Sequence, residues 1–164
     1  MNGELAEREG TRRQLRQLSL LCRVRHDILC ALSLEHVTET MRPLDVKPMA
    51  GVPSFIQGLA VVRGVPTAVV NAASLLTGEA SAPTRFVTVR TGSRCIALAV
   101  DAVLGVIEIS PDLVRTLPPL FQSAALDAVA ATGASDAELV LILRSARLVP
   151  DDLWATIQTA ATFA

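Results

Sequence analysis

The sequence predicts a mainly β protein, built as small antiparallel barrels in two lobes. Its apolar runs are short and are punctuated by glycine and proline, as in LSLLCRVR, ILCALS, RFVTVR and CIALAV. Parallel pairing of successive runs would need a crossover helix between them, so antiparallel pairing is the expectation. A faint internal echo supplies the second lobe: AVVNAASLL (68–76) resembles LILRSARLV (141–149). Each has an apolar strand end, a polar residue at Asn71 or Arg144, then a short helical turn, and each follows a glycine-marked corner at Gly64 or Gly133.

The elements follow in order. Residues 1–17 are polar and charged, with Glu4 and Arg8, then Glu9 and Arg13, at the spacing that pairs opposite charges on a helix face. They predict a charged, frayed helical arm. LSLLCRVR and ILCALS flank His26-Asp27, a pair that tolerates a tight turn, and so predict a hairpin. Glu35 to Met41 reads as a turn leading into a short strand, with Glu39 on the same side as Val37 and Met41. RPLDVKPMAGVP, with Pro43, Pro48, Gly51 and Pro53, is a loop.

Pro53 to Gln57 reads as one helical turn, Gly58 to Val62 as a strand, Arg63-Gly64 as a tight corner and Val65 to Asn71 as the returning strand. Gly64 supplies the positive φ that the corner needs. ASLLTG is a short helix closed by Gly78. A second hairpin joins RFVTVR to CIALAV through TGS, and VLGVIEI continues as a strand that bends at Gly105. SPDLVRTLPPLFQSAAL is proline-broken; DAVAATG, a turn over ASDAE and the strand LVLIL come next. A terminal helix starts near Pro150, with Asp151 and Asp152 in its first turn.

Composition removes several classes of function. With 51% hydrophobic and 19% charged residues the chain is too apolar to stay disordered, and its net charge of -1 offers no phosphate-tracking surface. Aromatics are only 3% and tyrosine is absent, so bases find few stacking platforms and nucleic acid is not an expected partner. Cys22, Cys30 and Cys95 form no CxxC pair, which fits a reducing compartment and buried, small apolar side chains. No apolar run reaches the roughly 20 residues that span a bilayer, and the N-terminal stretch lacks the apolar core of a signal peptide. A cytoplasmic protein without direct membrane insertion is expected.

Chemistry is hard to find. No metal spacing, phosphate loop or pair of nucleophile and base occurs, so catalytic, cofactor and metal sites are all expected to be absent. His26 next to Asp27 and His36 next to Glu35 read as surface or capping residues, Cys95 as packing, and Trp154 with Leu153 and Ile157 as a core or docking contact. The alternative from another class is a small barrel enzyme whose pocket uses Glu35, His36 and Cys95.

Arg63 stands out. A guanidinium at a corner between two apolar strands projects outward, because burying it unpaired costs several kcal/mol. An arginine held on rigid backbone among apolar neighbours is also what protein interfaces enrich.

The block VPSFIQGLAVVRGVPTAVVNAASLLTG resembles the characteristic segment of CheW-like chemotaxis coupling proteins. The resemblance extends to LLCRVRHDILCALSLEHVTETMRP, to RFVTVRTGSRCIALAVDAVLGVIEI with Asp101, and to ELVLILRSARLV, and so covers about 18–149. It implies two side-by-side five-stranded SH3-like β-barrel lobes over 18–149, preceded by the extension 1–17 and followed by the C-terminal helix 150–164. It also implies a non-catalytic adaptor, recruited to membrane-associated receptor arrays. Such an adaptor joins the cytoplasmic tip of a methyl-accepting chemoreceptor to a CheA-type histidine kinase through that kinase's CheW-like regulatory domain. On this resemblance Val37, Glu39 and Arg63 form the partner-binding surface. Asn71 stands where the family usually has aspartate, Arg144 where it often does, Thr40 where it often has an aliphatic residue, and Ala60 where it often has asparagine. A divergent scaffold of a motility or other non-chemotaxis pathway fits such departures.

Overall fold

The computed structural model of the chain describes residues 17–109, 128–135 and 138–163. Among them ten strands form two five-stranded sheets: β1 (Gln17–Arg25), β2 (Ile28–Ser33), β3 (Val37–Met41), β4 (Ile56–Val62), β5 (Val65–Asn71), β6 (Arg85–Thr91), β7 (Arg94–Val100), β8 (Ala102–Ile109), β9 (Val129–Ser135) and β10 (Glu138–Leu143). One sheet runs β8-β1-β2-β10-β9, the other β3-β6-β7-β5-β4. Two short α-helices, α1 (Ala72–Thr77) and α2 (Trp154–Thr162), and three single-turn 3-10 helices, Leu34–His36, Ser145–Arg147 and Asp151–Leu153, complete the regular structure of the described residues. The mainly β, two-lobed fold expected from the sequence is the fold observed. The arm over 1–16 and the proline-broken segment 110–127 lie outside the described residues.

The two sheets repeat one plan. Each holds two antiparallel hairpins joined through one parallel pair, β10 with β2 and β5 with β7, plus a fifth strand at one edge. Those parallel pairs correct the all-antiparallel expectation. β5 reaches β7 only after α1 and β6, and β2 reaches β10 only after the whole second sheet, so the reversal needs no dedicated crossover helix.

The echo between 68–76 and 141–149 is structural. The Asn71 N–H donates to the Phe55 carbonyl at 2.7 Å, and the Arg144 N–H donates to the Ala128 carbonyl at 2.7 Å. Each carbonyl belongs to the residue just before the first strand of the same hairpin, β4 or β9. Gly133, expected at a corner, instead lies within β9 opposite Val140, and the middle of the turn expected over ASDAE lies outside the described residues. The helical turn expected over Pro53–Gln57 shrinks to one bond from the Ile56 N–H to the Pro53 carbonyl (3.0 Å), because Ile56 already pairs with Val70 as strand. The bend at Gly105 is present: the β1–β8 register shifts beside it, and Gly105 has φ 140°.

A single apolar core joins the lobes. It takes Leu20, Cys22, Val24, Cys30 and Leu32 from the first sheet and Ile56, Leu59, Val70, Val87, Ile96 and Leu98 from the second. α1 adds Leu75 and Leu76, and α2 adds Trp154 and Ile157, so the lone tryptophan is a core residue. Arg94 lies over its ring, 4.7 Å from the centroid, a cation–π contact that ties β7 to α2. The chain between α1 and β6 holds the lobes together with polar bonds as well: Ser81 Oγ donates to the Val24 carbonyl at 3.4 Å, and the Arg25 guanidinium reaches Glu79 at 3.7 Å.

Candidate partner-binding site

β3 and β4 are the outermost strands of the second sheet. Two contacts bring these edges together. The loop after β3 lies against β4 through a two-bonded bridge, Lys47 N–H to the Leu59 carbonyl (2.8 Å) and Leu59 N–H to the Lys47 carbonyl (2.9 Å). Gly58 makes this approach possible: its φ is +142°, and a Cβ there would sit 1.9 Å from the Lys47 carbonyl oxygen.

The second contact is the ion pair of Glu39 and Arg63. Glu39 follows a register shift in β3, and there the buried Thr88 hydroxyl takes over the strand's bonding. It accepts from the Glu39 N–H at 3.1 Å and donates to the Glu39 carbonyl at 3.2 Å. Val37, Glu39 and Met41 alternate with the exposed Thr38 and Thr40, as the sequence pattern predicts. Glu39 is thus half-buried and fixed in direction.

Arg63 and Gly64 have φ of 49° and 80°, a two-residue corner with left-handed backbone at both positions. Arg63 is the one non-glycine residue with positive φ among those described, a conformation that costs of order 1–3 kcal/mol. Its Nε donates to Glu39 Oε1 at 2.8 Å and its Nη2 to Oε2 at 2.7 Å. This is the planar two-bond match that arginine makes with a carboxylate. The bonds from Arg63 hold the Glu39 carboxyl below its ordinary range, against the smaller opposing effect of burial, and Glu39 raises the Arg63 guanidinium in return.

The outward projection expected of Arg63 is observed, since its side chain is 79% exposed. Its engagement with Glu39, however, is an intramolecular bond that the linear sequence does not announce. Val61 and Val65, each 61% exposed, flank the corner. The sequence does not single them out, because the two strands are otherwise largely buried and show no outward alternation that separates these valines from their neighbours. Val37 packs its partly buried side chain against the shared core. The site is therefore an exposed ion pair, neutralised within the chain, with two exposed valines beside it.

Glu35 and His36 lie elsewhere, in the short turn between β2 and β3. His36 Nε2 is 3.7 Å from Glu35 Oε1, and His36 Nδ1 shares a 2.9 Å hydrogen bond with Ser145 Oγ from the other sheet's closing turn. Cys95 is exposed on β7 opposite Arg90, whose guanidinium donates to the Glu35 carbonyl at 2.6 Å. His36 thus serves the junction between the lobes.

Asn71 caps α1. Its Oδ1 accepts from the Ser74 N–H at 3.0 Å, while its Nδ2 donates to the Ser81 carbonyl at 3.0 Å. An aspartate could make the first bond but not the second, which gives a physical reason for asparagine in this chain. Arg144, at the matching place, is exposed and makes no side-chain cap.

A family model described as CheW-like domain matches residues 19–152. The crystal structure of the scaffolding protein TtCheW from Thermoanaerobacter tengcongensis is similar in fold, with a TM-score of 0.67 and 19% identity over 79% of this chain and 89% of that one. No curated protein sequence matches the chain significantly.

Proposed function

The chain belongs to the CheW-like domain family, and from that premise we propose that it is a non-catalytic adaptor coupling a chemoreceptor to a CheA-type histidine kinase. Residues 18–149 would form the coupling domain, with 1–17 as an extension and 150–164 as a terminal helix. The observation that carries this reading is the Arg63–Glu39 pair, held rigidly at an exposed corner between Val61 and Val65. Arginine anchors in an apolar surround are characteristic of protein interfaces, and on this reading Val37, Glu39 and Arg63 contact the partners.

On this reading the partners are the kinase's own CheW-like regulatory domain and the cytoplasmic tip of a methyl-accepting receptor. The adaptor works in the cytoplasm and is recruited to membrane-associated arrays. No helix of the described residues is long and apolar enough to cross a membrane. Assembly geometry, rather than chemistry on a substrate, controls the kinase.

Co-purification of the full chain from its native cell, with identification of the bound proteins, tests the proposal. A kinase and a receptor recovered together are the expected result. Recovery of neither, under conditions that preserve receptor arrays, overturns it.

A further inference from the structure

Cys22 and Cys30 face each other directly across the β1–β2 hairpin, and both side chains are wholly buried. Both lie on the core side of their strands, with Leu20, Val24 and Leu32. Directly opposed residues of an antiparallel pair hold their Cα atoms about 4.5 or 5.5 Å apart, according to which kind of pair they form. Either spacing falls within the roughly 4.4–6.8 Å that a disulfide spans. The register therefore places the two cysteines within disulfide reach of each other.

Packing alone does not call for cysteine here. Given the match of Asn71 to Arg144, Leu141 corresponds to Ala68; Leu141 lies beside Cys30 and Ala68 beside Ile96 in the two parallel pairings. Ile96 pairs in turn with Val89, as Cys30 does with Cys22. The second lobe therefore fills the equivalent place with a buried aliphatic pair, Val89 and Ile96.

We propose that Cys22 and Cys30 form a reversible dithiol–disulfide couple, a latent cross-link inside the first lobe that closes under a peroxide oxidant. One thiolate attacks a peroxide oxygen, breaking the O–O bond and giving a sulfenic acid and one water. The second thiol then attacks that sulfur and displaces a second water, so two thiols and one hydrogen peroxide become one disulfide and two waters. A dithiol reductant reverses the reaction. The bond from Cys22 and complete burial push the Cys30 thiol well up, so little thiolate is present at neutral pH and the couple answers to sustained rather than brief oxidation.

The test uses the full chain carrying Cys95→Ser, which removes the exposed thiol. After incubation with hydrogen peroxide, intact mass should fall by two hydrogens, non-reducing digestion should recover a Cys22–Cys30 linked peptide, and dithiothreitol should restore both. A Cys22→Val/Cys30→Ile variant, copying the second lobe, should stay folded and show no mass loss. Oxygen gained on Cys22 or Cys30 without the linked peptide overturns the proposal. So does alkylation of both thiols after oxidation in mild denaturant that admits the reagent.

Discussion

Arg63 clasps Glu39 with two near-equal bonds, 2.8 and 2.7 Å long, and in doing so ties one edge of the second sheet to the corner beside the other. Backbone that suits glycine or asparagine is given to arginine, and the side chain's fork is already occupied. What the arginine adds to the corner is therefore this ion pair, not an easier turn.

Arg63→Asn separates these roles. Asparagine tolerates the left-handed corner, and that relief offsets the lost ion pair, so the melting temperature should stay close to that of the native chain. Binding to the kinase regulatory domain or to the receptor tip, titrated by pull-down, should weaken about tenfold or more. Unchanged affinity for both would remove Arg63 from the site.

Acid should loosen the clasp. Glu39 titrates lower in the folded chain than in the unfolded one, so the pair's contribution is complete above the ordinary glutamate range and is lost as pH falls through the folded value. The stability difference between the native chain and Glu39→Gln should shrink over that interval. Urea midpoints from neutral pH down to about 3 measure it, since glutamate ordinarily titrates near 4.3; a constant difference would contradict the pairing.

Asn71→Asp should destabilise the fold by about 1–3 kcal/mol at neutral pH, because a buried carboxylate would face the Ser81 carbonyl without a proton to share. Protonation restores a donor, so the deficit should narrow in acid. Denaturant unfolding at two pH values reads both effects.

Gly58→Ala should cost about 3–5 kcal/mol, combining backbone strain with loss of the two Lys47–Leu59 bonds. Gly64→Ala, with open space around it, should cost only about 1–2 kcal/mol. Equal losses in unfolding experiments would mean that the Lys47 bridge is not what demands glycine at position 58.

Local features were legible in the sequence because their causes are local. His26-Asp27 turns one hairpin, Gly78 ends α1 in the left-handed conformation, and the alternation from Val37 to Met41 puts Glu39 on the half-buried side. Glu39 and Arg63 could each be singled out, but their bond depends on how a five-stranded sheet curls and on the Thr88 hydroxyl that steadies the bulge. The parallel β2–β10 pair was hidden for the same reason: it joins Cys30 to Leu141, and no neighbouring residue signals it. The reason for asparagine at 71 was equally hidden, since the Ser81 carbonyl that takes its amide hydrogen lies ten residues on.

The placement of β10 beside β2 also orders the molecule's birth. The leading hairpin emerges from the ribosome early, yet its neighbour is among the last strands made, after an entire sheet has intervened. During that interval β2 has one flank open, and cutting the chain between the lobes cannot release two self-sufficient halves.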